Sequence, residues 1–263
     1  MSQYETVTYQ CNSGVAVITL NRPEVRNSLN QKLRIELAAA IAQANQDNDA
    51  RVAVIAGAGK GFCAGADLAE SLPGSDEDGF ITELLRTEYN AVIKGIVHAE
   101  KPFIALVNGA AAGIGGAIAL ACDLVVMADN AFLYSAFGAI SLIPDGGSHK
   151  FLQSFLGSKK AYEMIAFSQR LTPEQCCDVG IANRIVPADK LLSEGVAWAG
   201  ELAQQAPLTL KLSKQLLREA ATADIDTVLD REAQLQNIGF RSEDFKEGTT
   251  AFFEKRTPQF KGC

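Results

Sequence analysis

Histidine is scarce in this 263-residue chain, which carries only His98 and His149. Acid–base chemistry must therefore lean on carboxylates, tyrosines or backbone groups. The six cysteines (Cys11, Cys63, Cys122, Cys176, Cys177 and Cys263) form no C-x-x-C pair. No zinc pattern or disulfide framework emerges, and a reducing cytoplasm is the expected compartment. A G-x-S-x-G elbow is missing, which lowers a serine-hydrolase reading. The run Gly57-Ala58-Gly59-Lys60-Gly61-Phe62 has Phe62 where a dinucleotide fingerprint needs its third glycine. It also fails the phosphate-loop spacing, because Gly61 follows Lys60, so a nucleotide cofactor is not expected. Positive charge is in deficit, 24 Lys+Arg against 31 Asp+Glu for a net −7. That balance argues against a nucleic-acid or anionic-membrane partner. The opening Met-Ser-Gln-Tyr-Glu has neither a basic n-region nor an apolar h-region, so no secretory signal is expected there. One long uncharged run exists, the 21 residues from Pro102 to Cys122. A spanning helix needs about 20, but Asn108-Gly109 and Gly113, Gly115 and Gly116 interrupt this one. It reads as a buried strand, a turn and a glycine-opened helix.

What is present suits a globular α/β protein, with 48% hydrophobic and 21% charged residues. At this length one large domain, or one domain with an appendage, is favoured over two equals. Residues 4–20 alternate about Asn12-Ser13-Gly14 as a hairpin does, and Leu33, Leu37, Ile41 and Ala44 follow at helical spacing. Apolar strands are expected at 52–56, 103–107, 124–127 and 181–186, with helices at 81–97, from Gly113, and over 149–167. Thr172-Pro173 reads as a helix start, with Cys176 and Cys177 inside that helix. Residues 70–80, with Pro73, Gly74, Gly79 and several acids, read as a mobile surface loop. Beyond Ala188 the pattern turns all-helical, over about 189–205, 208–221, 224–238 and 242–254. The expected organisation is a core over 1–188, made of repeated strand–strand–helix units, and a helical region over 189–263.

Two turns lined with small residues each follow an expected strand: Phe62-Cys63-Ala64-Gly65-Ala66-Asp67-Leu68 and Asn108-Gly109-Ala110-Ala111-Ala112-Gly113-Ile114-Gly115-Gly116. Such turns let a ligand approach the backbone. The second opens a helix whose first N–H groups are unpaired and partially positive. One N–H from each turn would make an oxyanion hole for a carbonyl acquiring negative charge. Close packing of strand on helix explains the same composition, and from the residues alone it is the commoner reason.

At these residues the sequence resembles the crotonase (enoyl-CoA hydratase/isomerase) superfamily. The resemblance runs in order through Leu20-Asn21-Arg22-Pro23, Asn27-Ser28-Leu29, the two small-residue turns, and Lys101 to Ala105. It continues through Cys122-Asp123, Pro144-Asp145-Gly146-Gly147-Ser148, Gly180 to Val186, and Phe252-Phe253-Glu254-Lys255-Arg256. It implies an α/β crotonase-like spiral of repeated ββα units with a C-terminal helical trimerisation region, forming trimers or dimers of trimers. It also implies a coenzyme A thioester as substrate, with no separate cofactor and no metal. By motif, the two carbonyl-binding N–H groups belong to Ala66 and Ile114. Glycine is common at the second position, so Ile114 is a departure that keeps the donor and alters the pocket. By the same resemblance Arg26, Ala64, Asp67, Phe252 and Lys255 are candidate coenzyme A contacts, the last two toward a neighbouring subunit.

The resemblance further implies two glutamates in a hydratase, at the positions held here by Ala117 and Phe137. Neither residue moves a proton. Asp145 matches the carboxylate of several isomerase branches, and one carboxylate suffices to shift a double bond. Phe137, Ile140, Leu142 and Ile143 are the residues expected to desolvate it; a turn or cap aspartate is the alternative. The most similar branch is that of the 1,2-epoxyphenylacetyl-CoA and Δ3,Δ2-enoyl-CoA isomerases, through Ala136 to Gly147 and Arg241 to Gly248, with Ser141 replacing a common glycine. A dehalogenase branch needs an aromatic N–H donor where Phe137 stands. A hydratase using Asp145 alone, and an acyl-CoA-binding protein without turnover, remain as alternatives. Asp67 is otherwise expected to cap the next helix, His149 to sit at a helix start, and His98 to close a helix. Glu70, Asp76, Glu77 and Asp78 are expected in a solvated loop.

Overall fold

The computed structural model describes residues 4–70 and 77–263. The expectations placed on Pro73, Gly74 and Asp76 lie outside the described residues. The chain opens with the antiparallel pair β1 (Val7–Asn12) and β2 (Val15–Leu20). α1 (Gln31–Gln46) starts where the Asn30 side chain accepts a hydrogen bond from the Leu33 N–H at 3.0 Å. Its Leu33, Leu37, Ile41 and Ala44 are buried on one face.

Three successive units then repeat one plan. The first has β3 (Val52–Gly57), β4 (Gly61–Cys63) and a helical stretch. That stretch is α2 (Phe80–Leu84), a π-helical segment Leu85–Tyr89, and α3 (Asn90–Val97). The second has β5 (Phe103–Val107), β6 (Ala110–Ala112) and α4 (Ile114–Ala121). The third has β7 (Leu124–Ala128), β8 (Phe132–Tyr134) and α5 (Ser148–Ala166). In each unit the first strand joins one sheet, the second strand joins another, and the helix returns the chain. The short β9 (Arg170–Leu171), α6 (Pro173–Asp178) and β10 (Arg184–Val186) complete the pattern. The larger sheet has the order β1-β2-β3-β5-β7-β10 and the smaller β4-β6-β8-β9. Strands β2, β3, β5, β7 and β10 run parallel in the larger sheet.

The uncharged run from Pro102 to Cys122 is explained by this architecture. All of β5 is buried and so is all of α4, so no residue there meets water. Among the described residues no helix is long and apolar enough to cross a membrane. The α6 start carries a full capping box, Thr172 with Gln175. The strand expected at 181–186 is shorter, because the Ile181 and Ala182 N–H groups both turn back to the Cys176 carbonyl.

After β10 come α7 (Leu191–Ala203), α8 (Pro207–Ala220), α9 (Ile225–Phe240) and α10 (Glu243–Glu254). α7 packs on β2, β3, β5 and β7 and buries Leu191, Gly195, Ala199 and Ala203. It is therefore a layer packed on the larger sheet. Lys214 ties α8 to the body by donating to the Ile96 and Lys101 carbonyls, at 2.9 and 3.1 Å, and to Asp123 at 2.7 Å.

Candidate active site

The first turn is set by Asn27, whose side chain is fully buried. Its Nδ2 donates to the carbonyls of Ala58, Gly61 and Phe62, and its Oδ1 accepts from the Arg22 N–H at 2.8 Å. These bonds fix how the chain leaves β4. Leu29 then pairs with Ala66 in a parallel bridge, in which the Leu29 N–H donates to the Gly65 carbonyl and Asp67 N–H to the Leu29 carbonyl. In such a bridge the neighbours of Ala66 point toward Leu29, so the Ala66 N–H points the opposite way.

The second turn leaves β6 at Gly113 and enters α4. The Gly113 N–H donates to the Tyr134 carbonyl at 3.0 Å, and the first helical bond is Ala117 N–H to the Gly113 carbonyl at 3.2 Å. The Ile114 N–H, first in the helix, therefore has no intrahelical acceptor. The turns lie against each other. A methyl group placed on Gly65 (φ 103°) would be 3.1 Å from the Ala112 carbonyl oxygen and 3.9 Å from Gly113 Cα. Only a residue without Cβ keeps that approach.

Asp145 enters from a third direction, in the loop before α5. Its neighbour Gly146 (φ 59°) sits so close to α4 that a Cβ there would overlap Ile114 Cδ1 and lie 2.8 Å from Ala117 Cβ and 3.7 Å from Ile93 Cδ1. Asp145 Oδ1 is buried and has no hydrogen-bond partner. Burial pushes the Asp145 carboxyl up to about 6, opposed only by its own backbone N–H. The side chain is not a helix cap: the N-cap of α5 is Gly147, and Ser148 bonds only the Asp145 backbone carbonyl. The residues expected to desolvate it need correction. Ile140, Leu142 and Ile143 are exposed, and the apolar contacts at this turn come from Ile93, Ile114 and Ala117. Phe137 is buried, with its ring 3.7 Å from a Cβ placed on Gly113. Ala117, against the Gly146 turn, and Phe137, near Gly113, both carry apolar side chains.

A fourth component was not read from the sequence. Arg34 in α1 is 1% exposed and donates to Glu88 at 2.7 Å, Glu70 at 2.8 Å, the Leu29 carbonyl at 3.0 Å and the Tyr89 hydroxyl at 3.3 Å. Glu70 is accordingly half-buried in an ion pair, not solvated as expected. Tyr89, also buried, ends the π-helical segment one turn before Ile93, and its guanidinium neighbour lies 4.8 Å from the ring centroid. Burial raises the phenol pKa, Arg34 opposes the rise, and the Asp145 charge adds to it. Beyond this clamp Arg34, Glu70, Phe80, Leu84, Thr87 and Glu88 line a cavity of about 660 Å³. An arginine beside an apolar helix stripe was the available signal, but its partners stand 36 and 54 residues away.

The other expected contacts are dispersed. Ala64 is partly buried and Arg26 exposed beside the first turn. Asp67 does not cap a helix, since α2 starts only at Phe80; it pairs with Arg22 at 2.8 Å, which holds its carboxyl below the usual carboxylate range. Phe252 is 78% exposed and Lys255 exposed at the end of α10, which packs on α9. His149 is exposed near the start of α5, and His98 follows the last residue of α3.

Comparison with known proteins agrees with this architecture. A family model described as enoyl-CoA hydratase/isomerase matches residues 10–263. A probable enoyl-CoA hydratase of Rhodobacter capsulatus is 37% identical, covering 98% of this chain and 99% of that one. The 1,2-epoxyphenylacetyl-CoA isomerase of Escherichia coli is 36% identical with the same coverage. The crystal structure of an enoyl-CoA hydratase from a Polaromonas species has a TM-score of 0.92 at 32% identity, covering 97% of this chain and 99% of that one. Relatives named for hydration and for isomerisation are nearly equally similar, so similarity selects no branch. The chain belongs to the enoyl-CoA hydratase/isomerase family, within the crotonase superfamily of enzymes that act on acyl-CoA substrates.

Proposed function

We propose that this protein isomerises an enoyl-CoA-type thioester, moving a double bond or opening an epoxide-derived ring, with Asp145 as its proton shuttle. The observation that carries the reading is the buried, unpartnered Asp145 Oδ1, in a turn whose Gly146 packs on Ile114 and Ala117, together with the lack of any acid–base group at Ala117 and Phe137. In this reading the thioester oxygen accepts from the Ala66 and Ile114 N–H groups, which stabilise the negative charge of the enolate; one such donor is worth about 3–4 kcal/mol in the transition state. Asp145 takes a proton from the α-carbon, the electrons delocalise into a dienolate, and the resulting carboxylic acid returns the proton to the γ-carbon. A carboxyl titrating at about 6 is suited to both halves, since it is mostly ionised at neutral pH yet accepts a proton readily. Arg26, Ala64 and Asp67 flank the first turn as coenzyme A contacts. Phe252 and Lys255 act on a neighbouring subunit's coenzyme A in a trimer, which is why they stand exposed in one chain.

The test supplies 3-enoyl-CoA and 2-enoyl-CoA separately and follows the conjugated enoyl-thioester absorbance. Gain of conjugation from the first substrate is the expected result. Loss of conjugation from the second, with a mass increase of about 18 Da for added water, would replace isomerase with hydratase. No change with either, despite binding, would leave an acyl-CoA-binding protein.

A further inference from the structure

We infer that Tyr89 is a positioning residue for the reaction, its hydroxyl coupled to the Asp145 carboxylate through a bridging water while Arg34 holds the phenol in place; this rests on the role given to Asp145 above. The Tyr89 oxygen accepts a hydrogen bond from Arg34 Nη1, so its own proton is directed elsewhere. Burial and the nearby Asp145 charge both keep that proton on the phenol. Asp145 Oδ1 offers the complement, a buried acceptor without a donor. The helix geometry brings the two together. Tyr89 lies one turn from Ile93, on the same face, and Ile93 is the residue of that helix that meets Gly146. The two groups make no direct hydrogen bond here, so the free enzyme links them through one bridging water, which transmits hydrogen bonding nearly as well as a direct contact.

The clamp accounts for the precision of this arrangement. Arg34 is held by Glu70 and Glu88 on one side and by the Leu29 carbonyl on another, and from there its Nη1 donates to the Tyr89 hydroxyl at 3.3 Å. Leu29 is also the residue whose backbone aims the Ala66 N–H, so Arg34 connects the first oxyanion donor to the proton shuttle. A π-helical segment ending at Tyr89 fits a functional position, since such segments insert an extra residue to re-aim side chains. Among the described residues, His149 and Lys150 on the Asp145 segment are exposed, Ile93, Ile114 and Ala117 against the Gly146 turn are uncharged, and Arg34 pairs with Glu70 and Glu88 while its buried Nη2 keeps no partner.

A donor to the charged form lowers a carboxyl pKa, so its removal raises it. The experiment labels aspartate carboxyl carbons with 13C and titrates the ligand-free protein by NMR, with Asp145→Asn identifying the Asp145 signal. In Tyr89→Phe the Asp145 midpoint should rise by about one pH unit, and the acid limb of kcat/KM for 3-enoyl-CoA should rise with it. Replacing Tyr89 with 3-fluorotyrosine, nearly isosteric and a stronger donor, should move both downward. This second variant decides the matter if Tyr89→Phe does not fold. An Asp145 midpoint unchanged in both folded variants overturns the inference, including the case where only thermal stability falls. If the midpoint moves but no 3-enoyl-CoA is isomerised, the coupling stands and the isomerase reading fails.

Discussion

Replacing Asp145 by asparagine should abolish turnover, and the stability of the variant relative to wild type should rise with pH across a defined range. The carboxyl is raised from an ordinary 3.8 to about 6 by burial. A folded-state pKa above the unfolded value means that folding takes up protons, so the charged form is a burden on the fold. Below about pH 3 the group is protonated in both states and contributes no such burden. As pH rises from about 4 to 6 the unfolded chain ionises first, and wild type loses stability relative to the variant. Above pH 7 the difference levels off at about 3 kcal/mol, from 1.36 kcal/mol per pH unit. Asparagine brings its own fixed offset, since a buried amide also needs partners, but that offset has no pH dependence over this range. Urea denaturation of both proteins at matched concentration, at intervals from pH 4 to 8, reads the difference directly; every other carboxylate cancels. Kinetics on the same preparations should show turnover reduced by orders of magnitude with coenzyme A ester affinity nearly intact. A stability difference flat across pH 4–8 would refute the desolvated-carboxylate argument. Unchanged turnover would remove Asp145 from the mechanism.

Ile114 offers a second test, because it stands first in α4, where proline is tolerated and an N–H has no helical use. Both Ile114→Ala and Ile114→Pro lose the Cδ1 contact with the Gly146 turn, but only the proline variant loses the donor; steady-state turnover should be about 10²–10³-fold lower in Ile114→Pro than in Ile114→Ala. Equal turnover in the two would take this N–H out of the oxyanion hole. Arg34→Met should destabilise the protein by about 3–5 kcal/mol in urea denaturation, since it leaves Glu70 and Glu88, with side chains 15% and 18% exposed, without their partner. A loss below about 1 kcal/mol would mean that those carboxylates find other solvation.

Much of the fold was legible because it follows from local rules. The alternation of β1 and β2, the Thr172 helix start, and the glycine interruptions of the 102–122 run specify elements through nearest-neighbour chemistry. Helix interruption was less legible. The stretch expected as one helix over 81–97 contains the π-helical segment Leu85–Tyr89, which packs across to α1. The same limit applied to charged residues. Glu70 looked like one more acid in a polar loop, and Asp67 like a helix cap, because their arginine partners lie far away in sequence. Hydrophobic context misled in the opposite sense: Ile140, Leu142 and Ile143 surround Asp145 along the chain but point to solvent.

The sequence by itself determined the succession of strands, turns and helices, the absence of acid–base groups at positions 117 and 137, and the presence of one carboxylate at 145. These depend on residue identity and short-range spacing, which the one-dimensional pattern contains. Only the tertiary structure decided that the Gly65 and Gly113 turns abut, that burial raises the Asp145 carboxyl pKa, and that Arg34 meets Glu70, Glu88 and Tyr89. Those facts arise when three parallel units coil over one another and bring segments more than thirty residues apart into contact. Desolvation and long-range ion pairing belong to that assembled interior, so no stretch of chain read alone carries them.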